Sequence, residues 1–314
     1  MAAERRPPFF FVCHYDYILM MRHFSSFACF DWSGQAVAYP AGISLAVLDA
    51  HADAKPKSTA PAQGWSREAV KYWLLQQAEQ GSDMLIGFDL SPALPFCDDG
   101  AYFPGWEQSP GNARQLWAMI DGLAADEPHM AASQMVRDHP EIRRYFRHGK
   151  GDVGDRFGDL GTGRLRVVEH VQRQTGQAAS ASCFNLVGAA QVGKSSLTGM
   201  RLFHQLDGRM PIWPFDPIPE TGPMLVEIYT SIAAMDAGLR KGQTKIRDRA
   251  TLIGALDRMA CLPPTRLPDY SDHRTDAIIT AAWLRQTAPQ HRYWQPEALS
   301  AQIAETEGWT FGVT

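Results

Sequence analysis

Three acidic residues interrupt apolar runs in which a bare charge is costly: Asp31 in FDWSG, Asp89 in GFDLS and Glu227 in LVEIY. A carboxylate in such a run has to be ion-paired, hydrogen-bonded or bound to a cation. Read singly, each is a strand-end salt bridge or a cap. Read together, three such breaks suggest one shared cause, because convergent carboxylate oxygens form a hard-cation site suited to Mg²⁺ or Mn²⁺. A further segment, DYSDHRTDAIITAAWL, places Asp272 and Asp276 four residues apart, on one face of a helix, with His273 beside them. Asp272 is equally suited to capping that helix.

A second pattern competes. GAAQVGKS, Gly188 to Ser195, satisfies the G-x-x-x-x-G-K-[ST] phosphate-binding loop, between an expected strand and an expected helix. Backbone N–H groups there would cradle phosphate, with Lys194 reaching a terminal phosphate and Ser195 ligating Mg²⁺. A nucleotide kinase or NTPase would follow. Against it, the downstream strand candidates are poor: PIWPFD carries two prolines and MLVEIY does not end on an acid. The plain alternative is a glycine-permitted turn. Two basic segments, RRYFRHGK continuing to Arg164 and Arg166, and RKGQTKIRDR with Lys245 and Arg247, are either phosphate contacts or solvated faces. Trp32, Trp106 and Tyr229 are candidates for stacking on a base, or simply core aromatics.

The elements that would position these residues can be read from local patterning. SSFACFDWSG, QAVAYPAG and ISLAVLDA predict a three-strand antiparallel meander, Ser66 to Gln77 a helix, and Asp83 to Ser91 a buried strand. The helix then crosses over so that the fourth strand lies parallel beside the first. Residues Pro92 to Gly176 read as an irregular insertion, with helices at Pro110 to Leu123 and around Met130 to Arg147. Strands are expected at Cys183 to Gly188 and Pro223 to Tyr229, and helices at Ser195 to Leu206, Asp248 to Ala260 and Asp272 to Gln286.

FDWSG, IGFDLSPALPF, VEIYTS and DHRTDAIITAAW together resemble a family of predicted nucleases of ribonuclease-H-like fold, distantly similar to Holliday-junction resolvases. The resemblance implies an α/β mixed sheet flanked by helices, with metal held by Asp31, Asp89, Asp272 and Asp276, and catalytic roles for Asp31, Asp89, Glu227 and Asp276. It implies two-metal phosphodiester hydrolysis of nucleic acid, in which one ion activates water, the other stabilises the leaving oxygen, and no protein nucleophile is needed. Lys194, Ser195, Lys245 and Arg247 are the expected phosphate contacts. Thr230 stands where the family's E-x-Y-P pattern has proline, and the last two acids lie closer together in the resolvases. A non-catalytic binding module of the same fold is the remaining alternative.

The 314 residues, 45% hydrophobic, are enough for one large α/β domain, expected at 25–314 with the insertion at about 92–180. A net charge of −4 argues against a protein that coats nucleic acid non-specifically. The five cysteines are scattered without C-x-x-C spacing, which fits a reducing cytoplasm. PPFFFVCHYDYILM near the start is too short and polar to span a membrane and lacks a cleavage site, so residues 1–24 read as a tail, with Met21 an alternative start.

Overall fold

The computed structural model describes residues 22–158, 162–178, 180–188 and 191–314, so residues 1–21 of the expected tail lie outside the described residues. Strands β1 (Ser26–Asp31), β2 (Ser44–Asp49) and β3 (Lys57–Thr59) precede helix α1 (Arg67–Glu79) and strand β4 (Met84–Phe88). Next come α2 (Ala113–Leu123), α3 (Gln134–Asp138), the ribbon β5 (Arg147–Gly149) and β6 (Asp152–Val153), α4 (Val167–Thr175) and α5 (Val192–Gln205). The chain closes with β7 (Ile212–Trp213), β8 (Met224–Glu227), α6 (Thr230–Asp236), α7 (Arg249–Arg258), α8 (Asp272–Thr287), α9 (His291–Trp294) and α10 (Ala301–Thr306). Among the described residues no helix is long and apolar enough to cross a membrane.

The fold is α/β: a mixed six-stranded sheet in the order β3-β2-β1-β4-β8-β7. β1, β2 and β3 pair antiparallel, whereas β1, β4, β8 and β7 run parallel. Strand alternation sorts the core into two layers. Ala28, Phe30, Ile86, Phe88 and Leu225 face a cluster completed by α1, α2 and α5. Phe27, Cys29, Leu85, Met224 and Val226 face a second cluster completed by α6, α7, α8 and the C-terminal Trp309 and Phe311. Both faces are therefore buried, which is why the parallel strands read as continuous apolar runs. Phe103, Trp117 and Tyr145 from the 92–180 segment belong to the first cluster, so this segment packs into the same core as the sheet.

Several local expectations need correction. The meander forms, but QAVAYPAG is a turn, not its middle strand, and Lys57–Thr59 supplies the third. The buried Arg67 guanidinium donates to the carbonyls of Ser33 (2.7 Å) and Gln35 (2.6 Å), engaging groups that a strand partner would need. Val37 and Tyr39 consequently stay exposed. The helix expected around Met130 to Arg147 is only α3 and a 3₁₀ turn, Ile142–Tyr145, because Pro140 cannot donate and disfavours helix just before it. The segment Cys183 to Gly188 is no strand of the sheet: Asn185 makes one isolated bridge to Arg147. Helix α1 starts as expected, with the Ser66 hydroxyl accepting from the Ala69 N–H (3.0 Å).

Candidate active site

Asp31 is the last residue of β1, and Asp89 follows β4 directly. The Asp89 N–H donates to the Phe30 carbonyl (3.0 Å), extending the parallel ladder by one step beyond the Phe30–Phe88 pair. Both carboxylates thus leave the sheet at the same end. The third comes from α8, which lies across β1 and β2 on buried Ala277, Ile278, Ala281 and Ala282. Gly87 admits this helix: a Cβ there would meet Leu284 Cδ1 at 3.0 Å and Ile228 Cγ1 at 3.1 Å. Asp276, one turn into α8, then points its carboxylate toward the strand ends.

The electrostatics register this convergence. Burial, then Asp31, then Asp276 push the Asp89 carboxyl up to about 8, although Thr230 Oγ1 donates to it at 3.0 Å. Burial raises Asp276 to about 6, with Asp31 and Asp272 adding to the rise and Lys245 opposing it. The Cys29 thiol on β1 is raised by burial and further by Asp31, Asp89 and Asp276. Two basic side chains answer the three acids. Lys245 forms an ion pair with Asp276, and although burial disfavours its charge, Asp276, Asp31 and Asp89 hold its pKa above the usual lysine value. His273 Nδ1 lies 2.7 Å from Asp31 Oδ2, and that hydrogen bond raises the imidazole pKa.

The other expected residues fall elsewhere. Asp272 is one turn from Asp276, but it accepts two 3.0 Å hydrogen bonds from Arg247, which hold its carboxyl below the usual range. Its helix is preceded by Ser271 as N-cap, so Asp272 itself is the first helical residue. Glu227 lines a cleft together with Asp89 but is bound to Arg166 at 2.6 and 2.9 Å and to Thr310 Oγ1 at 2.7 Å. Arg166 also holds Glu169 (3.0 Å) and the Glu307 carbonyl (2.9 Å). The break in LVEIY is therefore satisfied by an arginine distant in sequence.

The phosphate-loop pattern does not have its usual surroundings. No sheet strand precedes it, and Ala189 and Ala190 lie outside the described residues. Gly193 donates its N–H to the Asn185 carbonyl (3.0 Å), and Ser195 Oγ donates to the Val192 carbonyl (2.7 Å). The glycine is needed for packing, since a Cβ at Gly193 would lie 2.3 Å from the Cys183 carbonyl oxygen. Lys194 lies where α5 docks on the turn after β1: a Cβ at Gly34 would fall 2.2 Å from the Lys194 carbonyl carbon. Trp32 Nε1 donates to Thr198 Oγ1 (3.0 Å) across the same junction and is buried, and Trp106 packs on Phe103 and His139. Of the proposed stacking residues, the buried Trp32 and the partly buried Tyr229 both line the cleft.

The first basic segment is largely spent on internal pairs: Arg144 with Asp155, Arg164 with Asp98, and Arg166 with Glu169 and Glu227. Lys245 was legible as a phosphate contact but not as the counter-ion of Asp276, and Arg166 was not legible as a counter-ion at all. Its one signal was a Glu three residues on, at a helix start. Among the described residues, no three His, Cys, Asp or Glu side chains stand where they could hold a metal ion together. No family model, curated protein or solved structure matches the chain.

Proposed function

We propose that the chain is a ribonuclease-H-like phosphodiesterase that hydrolyses nucleic acid with a divalent cation, Mg²⁺ or Mn²⁺. The observation that carries this reading is the convergence of Asp31, Asp89 and Asp276 at the ends of two parallel strands and a crossing helix. The sheet order, with three antiparallel strands followed by a parallel neighbour to the first, supports the fold assignment. The donor set is of the type that suits a hard cation: its oxygens all come from carboxyl groups, three of them beside two basic side chains. Asp31, Asp89 and Asp276 would hold the ion, with Asp276 exchanging Lys245 for it; the Lys245 side chain is 48% exposed and free to swing outward. When bound, the cation supplies charge stabilisation on phosphoryl oxygen and an acidified water.

The chain's own groups complete the chemistry. Lys245, released from Asp276, offers its ammonium to a non-bridging phosphate oxygen, and Arg247 stands beside it at the rim. His273, half exposed and with its imidazole pKa raised by the hydrogen bond to Asp31, is the group placed to pass a proton to the leaving oxygen. Glu227 has no part in the reaction in this reading; with Arg166 it braces the wall behind Asp89. Nucleotide hydrolysis is not favoured, since the Gly193 N–H and the Ser195 hydroxyl are already committed. The test is hydrolysis of single-stranded, duplex and branched oligonucleotides with Mn²⁺. Cleavage abolished by Asp31→Asn and by Asp89→Asn supports the reading, and cleavage of none of them by the wild type refutes it.

A further inference from the structure

The cleft on one side of Asp89 has a volume of about 370 Å³ and is walled by Trp32, Ser91, Gln172, Ser195 and Tyr229 as well as Arg166 and its two glutamates. That volume lies within the roughly 300–1,000 Å³ of small-molecule sites. Its charge excludes a phosphate. Asp89, Glu169 and Glu227 face one cation, Arg166, and every nitrogen of that guanidinium already donates: Nε to Glu169, Nη1 to Glu227 and the Glu307 carbonyl, Nη2 to Glu227. What remains is a recess with hydroxyl and amide groups and an aromatic wall. On the far side of Tyr229 the lining reverses in sign. There a second basin of about 520 Å³ presents Lys241, Lys245 and Arg247, the last two paired with Asp276 and Asp272, which are not among its lining residues.

We infer that, if the nuclease reading holds, the substrate is a single strand, or a strand locally unpaired, with one nucleobase inserted in the Asp89 cleft and its backbone phosphates on the Lys241–Arg247 basin. Tyr229 lines both spaces, so its ring stands where the strand must turn from one to the other. A neutral heteroaromatic ring suits the anionic recess by hydrogen bonding and stacking, whereas the phosphodiester is drawn to the basic side. Asp89 lines the cleft, and Lys245, paired with Asp276, lines the basin, so the acids stand where base and backbone part. A paired base cannot enter the cleft without leaving its duplex, and this makes strand separation a condition of productive binding.

A short strand carrying 2-aminopurine reports the insertion directly, because its fluorescence changes when the base leaves its stacked neighbours for the cleft and its aromatic wall. In metal-free buffer, wild-type protein is expected to change that fluorescence and to bind an abasic strand about tenfold more weakly than the intact one. Ala181→Phe, which fills the cleft from its wall, is expected to remove the fluorescence change and the preference while leaving the affinity for the abasic strand unchanged. Binding with unchanged fluorescence and no penalty for the abasic strand overturns the inference and leaves the nuclease reading standing. Failure of the wild type to bind any strand overturns both.

Discussion

At the scale of single residues, the site is a problem of too little positive charge. Asp89 makes the consequence measurable. Its carboxyl, raised to about 8 by burial and by Asp31, takes up a proton on folding at any pH between its unfolded value and about 8. The folded state therefore binds more protons than the unfolded state over that window, and this contribution to stability falls as pH rises from about 4 to about 8. Asp89→Asn removes the dependence, so thermal melts should show the variant gaining on the wild type steadily between pH 5 and pH 8. An identical pH profile for the two would contradict the clustering. Lys245 gives the complementary experiment. In the proposed reading a metal displaces this ammonium, so Lys245→Met should tighten Mn²⁺ binding by about tenfold, roughly 1.4 kcal/mol, while slowing hydrolysis; weaker Mn²⁺ binding would show that Lys245 supports the metal instead of competing with it. Asp31 and Asp89 were legible because each breaks an apolar strand at its end. Lys245 was legible only as a phosphate contact and not as the counter-ion of Asp276, because its segment has no periodicity and its partner lies 31 residues away.

At the scale of elements, the site depends on how closely α5 and α8 approach the sheet. The turn after β1 touches the first turn of α5 through Gly34, where any side chain would strike the Lys194 backbone. Gly34→Val should destabilise the fold by about 2–3 kcal/mol and displace Trp32 from Thr198, with hydrolysis falling more than stability alone accounts for; a melt and an assay on the residual folded fraction separate the two. This contact also gives part of GAAQVGKS a packing role. Gly193 and the Lys194 backbone, both within the phosphate pattern, help seat a helix against a strand end, and a pattern of residue types cannot distinguish the two uses of glycine. The order strand, strand, strand, helix, strand was readable from turns and apolar runs. The identity of the middle strand was not, because Arg67, far along the chain, decides where the carbonyls of Ser33 and Gln35 go.

At the scale of the whole molecule, Arg166 binds together α4, β8 and the C-terminal segment, which joins the sheet where the Phe311 N–H donates to the Glu227 carbonyl (2.9 Å). Removing one partner strands the others in a buried setting, so Arg166→Met should cost about 3–5 kcal/mol, read as a shift of the denaturation midpoint. Glu227→Gln is the sharper variant: it should lower stability yet leave Mn²⁺ affinity unchanged, whereas a lost metal site would restore Glu227 to the catalytic set. A buried acid in a strand looks the same in sequence whether its counter-ion is a metal or an arginine 61 residues distant. The central claim is that Asp31, Asp89 and Asp276 form one cation site. Calorimetric titration of Mn²⁺ into wild-type protein, Asp31→Asn and Asp89→Asn near pH 7 tests it most directly. The account predicts binding with proton release in the wild type, from the protonated Asp89, and loss of binding in both variants; a wild type that binds no Mn²⁺, or variants that bind it equally well, would contradict it.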